Sequence, residues 1–168
     1  MSRRAPLAFF FVSCLALSCA QQPVASASAP GFELQSIDGA SYRLDEQLGK
    51  SVVLIDFWAT YCDPCLMALP QLQRLQRKYQ SADLIILGIN IDGPDSLASV
   101  RAEIAKSSIT FPTLLDPETR TLGLYNPKAT VPFTVLIDRA GRIVEQHEGY
   151  TAGYLEHLDT QIQTALSR

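Results

Sequence analysis

The hydrophobic pattern along the chain is that of strands alternating with helices. Residues 51–58 are almost continuously apolar, which is typical of a strand covered on both faces of a parallel or mixed sheet. Over residues 63–79 leucines recur every three positions and basic residues gather toward the end, which predicts a helix. Asp56 is a carboxylate inside the apolar strand, so we expect burial to raise its pKa.

The remaining segments complete an α/β pattern. Two hairpins are predicted where polarity alternates around turn residues: 32–37 with 41–44, and 133–138 with 142–148. Further elements are predicted between and after them: a strand over 84–91, a helix over 96–107, a short strand over 113–115, a helical turn over 119–124, and a last helix capped by Thr151 and ending at Leu166. This order predicts a mixed central sheet with helices on both faces.

The first twenty residues have the layout of an export signal. Two arginines precede an apolar run of about eleven residues, too short for a transmembrane helix, and small residues follow. Two processing sites stay open: cleavage after Ala20, or a loose lipobox that would leave Cys19 lipidated at the new N-terminus. We therefore expect a signal peptide over 1–20, a flexible Ala-, Ser- and Pro-rich tether over 21–30, and one folded domain over 31–168.

Composition and charge narrow the function classes. The chain has 168 residues, with 47% apolar and 18% charged side chains, which suits one ordinary globular domain. Its net charge is −3, or about −5 once the two N-terminal arginines are removed, and no basic patch suggests nucleic-acid binding. With Cys14 in the signal and Cys19 lost or lipidated, Cys62 and Cys65 are the cysteines of the predicted domain.

Cys62 and Cys65 form a Cys-x-x-Cys motif where the apolar strand gives way to the predicted helix. Unpaired N–H groups and the dipole at a helix N-terminus favour a thiolate, and a second cysteine one turn later is within disulfide reach. Thiol–disulfide exchange needs such a pair, with Cys62 as the exposed nucleophile and Cys65 as the resolving thiol. The alternatives are an inert local disulfide or a zinc half-site. Zinc needs about four ligands, and the domain adds only His147 and His157, which we expect at the surface.

The sequence around this motif resembles the exported TlpA/ResA-like branch of the thioredoxin superfamily. Residues 57–65 read Phe-Trp-Ala-Thr-Tyr-Cys-Asp-Pro-Cys, similar to the Phe-Trp-Ala-Thr-Trp-Cys-x-Pro-Cys of that branch. The similarity extends over about Gly31 to Arg168 and includes Gly49-Lys50, residues 111–116, Val131-Pro132 and residues 136–141. It implies a thioredoxin-like fold with a β–α insert, and an exported thiol–disulfide oxidoreductase that acts as a reductant.

The resemblance also implies roles for particular residues. Pro132 occupies the place of a cis-proline that faces the active site, and a cis bond there would offer the Val131 backbone to an extended substrate peptide. Asp56 matches a buried carboxylate that exchanges protons with the resolving cysteine in thioredoxin. It is therefore a candidate proton acceptor for Cys65, with a purely structural, hydrogen-bonded Asp as the alternative.

Other residues near the motif are candidate substrate contacts or departures from the family pattern. Trp58 and Tyr61 could form an apolar rim around the disulfide, with core packing as the alternative, and Pro64 lies inside the motif. Ala68 stands where many relatives have Glu, so a mechanism that relies on that Glu is absent. Asp63 adds a negative charge beside the first cysteine, which opposes thiolate formation modestly.

We expect exchange with protein substrates, such as apocytochrome c thiols or oxidised envelope proteins, by a monomer without cofactor or metal. The protein would work in the periplasm or cell envelope, either released or held by a lipid anchor at Cys19. A membrane electron donor would re-reduce it, because an exported thiol is out of reach of cytosolic thioredoxin.

Two alternatives for the function stay open. One is a peroxiredoxin-like thiol peroxidase, although no proline precedes Cys62 from Lys50 onward. The other is a tethered binding module whose cysteines hold a metal or a static disulfide.

Overall fold

A computed structural model of the protein describes residues 28–168, which form a seven-stranded mixed sheet with helices packed against it. The strands are β1 (Glu33–Ser36), β2 (Ser41–Arg43), β3 (Val52–Trp58), β4 (Leu84–Asn90), β5 (Thr113–Leu115), β6 (Phe133–Ile137) and β7 (Ile143–Glu148). The helices are α1 (Asp63–Lys78), α2 (Leu97–Lys106), α3 (Arg120–Tyr125) and α4 (Ala152–Leu166). The expected signal peptide, the processing sites at Cys19 and Ala20, and most of the expected tether lie outside the described residues. Over residues 28–168, no helix combines the length and the apolar character needed to cross a membrane.

The strands are ordered β2-β1-β5-β4-β3-β6-β7 across the sheet. β3 is parallel to β4 and antiparallel to β6, which makes the sheet mixed. All seven residues of β3 are buried, because it has neighbours on both sides and helices over both faces. The predicted order of elements is confirmed, and their ends differ from the predicted ones by at most one residue.

Successive residues of β3 point to opposite faces of the sheet. Phe57 lies on the face that α3 covers, with its ring centroid 5.8 Å from that of Tyr125. Asp56 lies on the other face together with Thr134 and His147, and Tyr154 of α4 stacks on His147 there; α1 packs beside α4. These two helices meet where Tyr79, just after α1, donates a hydrogen bond of 2.6 Å to Asp159 of α4. Helices therefore lie on both faces, as predicted.

The folded domain begins earlier than the predicted boundary at residue 31. Ser28 forms an isolated antiparallel bridge with Arg142. Ala29 is buried, and its N–H donates to the carbonyl of Gly141 at 2.9 Å. Composition assigned these residues to the tether, but backbone hydrogen bonds, which composition does not reveal, hold them against the turn between β6 and β7.

The last helix, α4, begins directly after Thr151, as predicted. The carbonyl of Thr151 accepts the N–H of Tyr154 at 3.0 Å, but its side chain makes no capping hydrogen bond. Leu158 and Ile162 on this helix are fully buried. The helix is therefore stabilised by packing of its apolar side against the sheet and not by the side-chain cap that we predicted.

Candidate active site

The Cys-x-x-Cys motif lies at a junction of strand and helix. β3 ends at Trp58, and α1 begins at Asp63 with Cys62 at its N-cap position. Cys62 and Cys65 form a disulfide, with their Cα atoms 5.2 Å apart. The backbone N–H of Cys65 also donates to the sulfur of Cys62 at 3.2 Å. The sulfur of Cys62 therefore lies against the first turn of the helix, whose N–H groups and dipole favour its thiolate once the disulfide is reduced.

The two cysteines differ in their access to solvent. Cys62 is 8% exposed, whereas Cys65 is fully buried. A partner that approaches from solvent therefore meets Cys62 first. The exposure is small, so the partner has to present its sulfur to one accessible edge of the disulfide.

The residues around the disulfide divide into exposed and buried ones. Tyr61 is 71% exposed, and Pro64 is exposed as well, so both flank the sulfur of Cys62 at the surface. Trp58 is 1% exposed, so the expectation that it forms part of an apolar rim around the disulfide is wrong, and the alternative, core packing, is correct. The physical reason is its position over Gly88, where an added Cβ would lie 3.2 Å from the indole Nε1. Trp58 therefore packs in the core and offers almost no surface to a substrate.

A carboxylate that the sequence analysis did not single out fixes the loop before the motif. The two oxygens of Asp92 accept the backbone N–H of Thr60 at 2.8 Å and its hydroxyl at 2.7 Å. The side-chain amide of Asn90 donates to the same carboxylate at 2.6 Å. Asp92 thereby holds the chain two residues before Cys62. Its sequence signal was a polar residue just past a buried parallel strand, at the edge where such sheets carry their functional groups.

Asp56 is buried inside β3 and 1% exposed. Its Oδ1 accepts the hydroxyl of Thr134 at 3.1 Å, whereas its Oδ2 has no hydrogen-bond partner among the described residues. Burial raises the pKa of Asp56 to about 7, and the hydrogen bond from Thr134 acts in the opposite direction. The predicted rise of the pKa is confirmed. This carboxyl group can take up and release a proton near neutral pH.

The peptide bond between Val131 and Pro132 is cis, as the resemblance implied. β6 begins at Phe133, which is paired with Phe57 one residue before the end of β3. Val131 and Pro132 therefore lie at the same end of the sheet as the disulfide. Pro132 is buried, whereas Val131 is partly exposed.

The two histidines belong to other parts of the fold. His147 is in β7 and His157 in α4, and within residues 28–168 no group of three His, Cys, Asp or Glu side chains could hold a metal ion. His147 is partly exposed, but its Nε2 is buried and its ring is stacked 3.5 Å from that of Tyr154. This contact could not be predicted from the sequence, because it depends on how α4 folds back over β7.

A reactive disulfide at the start of the helix that follows a central strand, with a cis-proline at the same end of the sheet, defines a thioredoxin-fold thiol–disulfide oxidoreductase. Proteins of this class are enzymes. The chain belongs to the AhpC/TSA family, whose sequence profile matches residues 25–146.

Curated relatives and solved structures agree with this class. The chain is 31% identical over 125 residues to the thiol-disulfide oxidoreductase ResA of Halalkalibacterium halodurans, which covers 74% of this chain and 69% of the relative. It is 34% identical over 116 residues to ResA of Geobacillus thermodenitrificans, covering 69% of this chain and 64% of that protein. The chain thus spans about two thirds of the length of these relatives. A crystal structure from Chlorobium tepidum, provisionally described as the thiol:disulfide interchange protein DsbE, is similar with a TM-score of 0.76 and 33% identity, over 84% of this chain and 96% of that one.

Proposed function

We propose that this enzyme is exported and reduces disulfides in other proteins. The observation that supports it most is the Cys62–Cys65 disulfide at the start of α1, in which Cys62 is 8% exposed and Cys65 is fully buried. The resemblance to the exported TlpA/ResA-like branch supports the direction of the reaction. The ResA relatives are named thiol-disulfide oxidoreductases, which supports thiol–disulfide exchange as the reaction.

The reaction begins at the sulfur of Cys62. Its thiolate attacks one sulfur of a substrate disulfide, and a mixed disulfide forms while the other substrate sulfur leaves as a thiolate that takes a proton from solvent. Cys65 then loses its proton, and its thiolate attacks the sulfur of Cys62. This step forms the Cys62–Cys65 bond and releases the second substrate thiolate. The substrate has gained two electrons and the enzyme has lost two.

We assign the proton of Cys65 to Asp56. Both residues are buried, and Asp56 lies on the face of the sheet that α1 covers. The pKa of Asp56, raised to about 7 by burial, suits a group that accepts a proton and releases it again near neutral pH. Ala68 occupies the position at which relatives carry Glu, so that acid–base group is missing from this chain.

An extended segment of the substrate would lie across Cys62. Tyr61 and Pro64 contribute exposed side-chain surface on one side of the sulfur. Val131 and Pro132 lie at the same end of the sheet and contribute main-chain groups. Recognition through main-chain hydrogen bonds tolerates many substrate sequences, which suits a reductant of diverse proteins.

The enzyme acts as a monomer in the periplasm or cell envelope, reached through the signal peptide over 1–20. Cys19 either carries a lipid or is removed with the signal. Because cytosolic thioredoxin does not reach an exported thiol, a membrane electron donor supplies the electrons. Its substrates are protein disulfides and thiols, such as those of apocytochrome c.

The reduction potential of the Cys62–Cys65 pair tests the direction of the reaction. The mature protein is equilibrated with glutathione and dithiothreitol buffers, and the fraction of reduced enzyme is measured. A value near or below about −250 mV is expected for a reductant, whereas a value near −120 mV would mark an oxidant. Cys62→Ser should abolish exchange with a protein disulfide. A pair that never titrates reversibly would reject the redox assignment, and rapid consumption of hydrogen peroxide would favour the peroxidase alternative.

A further inference from the structure

Polar side chains from three neighbouring strands meet on one face of the sheet. Asp56 in β3 is directly opposite Thr134 in β6, and Thr134 is directly opposite His147 in β7. Directly opposite residues point to the same face, so the three side chains follow one another across the sheet. Tyr154 of α4 covers the outer end, with its ring stacked on that of His147. We call Asp56, Thr134, His147 and Tyr154 the polar row.

The polar row contains buried atoms that lack partners. Across residues 28–168, four buried side-chain nitrogen or oxygen atoms have no hydrogen-bond partner, and three of them belong to the row. They are Oδ2 of Asp56, Nε2 of His147 and the hydroxyl of Tyr154. Buried polar groups are nearly always paired, so three exceptions at one location indicate a role other than stability. Apolar side chains at these positions would stabilise the fold better.

The row has a buried acid at its inner end and titratable side chains near solvent at its outer end. On the inner side, β4 presents only Gly88 opposite Asp56. At the outer end, Nε2 of His157 in α4 lies 3.5 Å from Oε1 of Glu145 in β7, and the His157 side chain is 49% exposed.

The charges near the row act on its members unequally. Burial lowers the pKa of His147, while Glu145 acts in the opposite direction and His157 in the same direction. Burial also raises the pKa of Tyr154, Glu145 and Asp56 add to the rise, and the nearby hydroxyl of Thr134 acts in the opposite direction. Burial therefore favours the neutral form of the His147 ring, whose Nε2 has no hydrogen-bond partner among residues 28–168. From α1, the group that concerns the row is Cys65, which is fully buried and is assigned above as the proton donor to Asp56.

We propose that Thr134, His147 and Tyr154 are positioning residues that connect Asp56 to solvent and carry its proton to the edge formed by Glu145 and His157. This inference rests on the proposed role of Asp56 as proton acceptor for Cys65. When the thiolate of Cys65 attacks Cys62, the disulfide forms, the substrate thiolate leaves with the electron pair, and Asp56 holds the proton. The row then passes that proton outward, and no electrons move in this step.

The test is the pH dependence of the step that Cys65 performs. Reduced protein is mixed with dithiobis-nitrobenzoate, whose first coloured thiolate is released by Cys62 and whose second is released by Cys65. The rate of the second release is followed by stopped flow from about pH 5 to about pH 9. Thr134→Val should raise the midpoint by about one pH unit, because a hydrogen bond that favours the carboxylate is lost. Thr134→Ser retains the hydroxyl and should restore the original midpoint.

The outer members of the row should affect repeated turnover. Tyr154→Phe and His147→Gln should each slow about tenfold the steady-state reduction of a protein disulfide by enzyme that dithiothreitol keeps reduced, since a proton that cannot leave Asp56 blocks the transfer in the next cycle. Tyr79→Phe is the matched control, because it removes a phenol hydroxyl that bonds Asp159 and does not belong to the row. Thr113→Val is the control for Thr134→Val, since Thr113 is also buried in the sheet but is opposite Gly88.

Asp56→Asn distinguishes two negative results: that the polar row does not carry the proton, and that Asp56 does not accept it from Cys65. One result is that Asp56→Asn abolishes the pH dependence of the second release, whereas the variants of Thr134, His147 and Tyr154 behave like the unmodified protein. The proposed path through the polar row is then wrong, and Asp56 remains the proton acceptor. If Asp56→Asn leaves the profile unchanged, both assignments are overturned, although the exchange chemistry of the cysteines stands. The infrared carbonyl band of protonated Asp56, followed against pH in Thr134→Val and Thr134→Ser, should shift only in the valine variant.

Discussion

Asp56 makes the stability of the oxidised protein depend on pH. Burial raises its pKa from 3.8 to about 7, so the folded chain binds this proton more tightly than the unfolded chain does. The resulting stabilisation is complete below about pH 4 and is lost as the pH rises through about 7, a change of up to roughly 4 kcal/mol. Asp56→Asn removes the titrating group. We therefore expect its free energy of unfolding to fall much less over the same range.

Urea unfolding of the oxidised protein at about pH 4.5 and about pH 8 measures this difference. Asp95→Asn, which removes an exposed carboxylate, should behave like the unmodified protein. If the free energy of unfolding fell equally in the unmodified protein and in Asp56→Asn, the raised pKa of Asp56 would be wrong.

At the scale of elements, the loop between β3 and α1 depends on Asp92 in the segment after β4. Its carboxylate accepts three hydrogen bonds from Thr60 and Asn90. Asp92→Asn turns one acceptor oxygen into an NH₂ group that faces these donors, so at least one bond is lost. Because the loop sets the position of Cys62, we expect disulfide exchange to slow by about ten- to a hundredfold. The measurement is the rate of reduction of a disulfide-containing peptide.

Asp116→Asn is the matched control for this prediction. Asp116 is also buried and accepts the N–H groups of Thr121 and Leu122 in α3, at 3.2 and 2.9 Å. Its substitution should lower the melting temperature and leave the exchange rate unchanged well below that temperature. Equal losses of rate in the two variants would show that Asp92 acts only on stability.

Local patterns explain why the elements and the cysteine pair could be predicted. The apolar run of β3 and the three-residue spacing of Cys62 and Cys65 are visible within a few residues. The loop contact and the polar row depend instead on which strands become neighbours. Asp92 is 32 residues from Thr60, and Thr134 is 78 residues from Asp56, so the register of the sheet brings each pair together. The burial of Trp58 likewise follows from its contact with Gly88 on the adjacent strand.

At the scale of the whole molecule, residues 28–30 fasten the N-terminal end of the domain. Ala29 is buried, and the hydroxyl of Tyr125 donates to the carbonyl of Pro30 at 2.5 Å. A chain that begins at Gly31 loses these contacts, so we expect its free energy of unfolding to be about 1–3 kcal/mol lower than that of a chain beginning at Ala27. Chemical unfolding of the two chains measures the difference. Identical unfolding midpoints would show that residues 28–30 do not stabilise the domain and belong to the tether.

The contact between Ala29 and Gly141 also fixes the end of the domain at which the N-terminal segment enters it. Because β6 is antiparallel to β3, the turn at Gly141 lies at the opposite end of the sheet from Cys62, about 20 Å away along the strands. A lipid at Cys19 would therefore be joined to the end of the domain remote from Cys62. The reactive sulfur would stay clear of the attachment point and open to protein partners in the aqueous compartment.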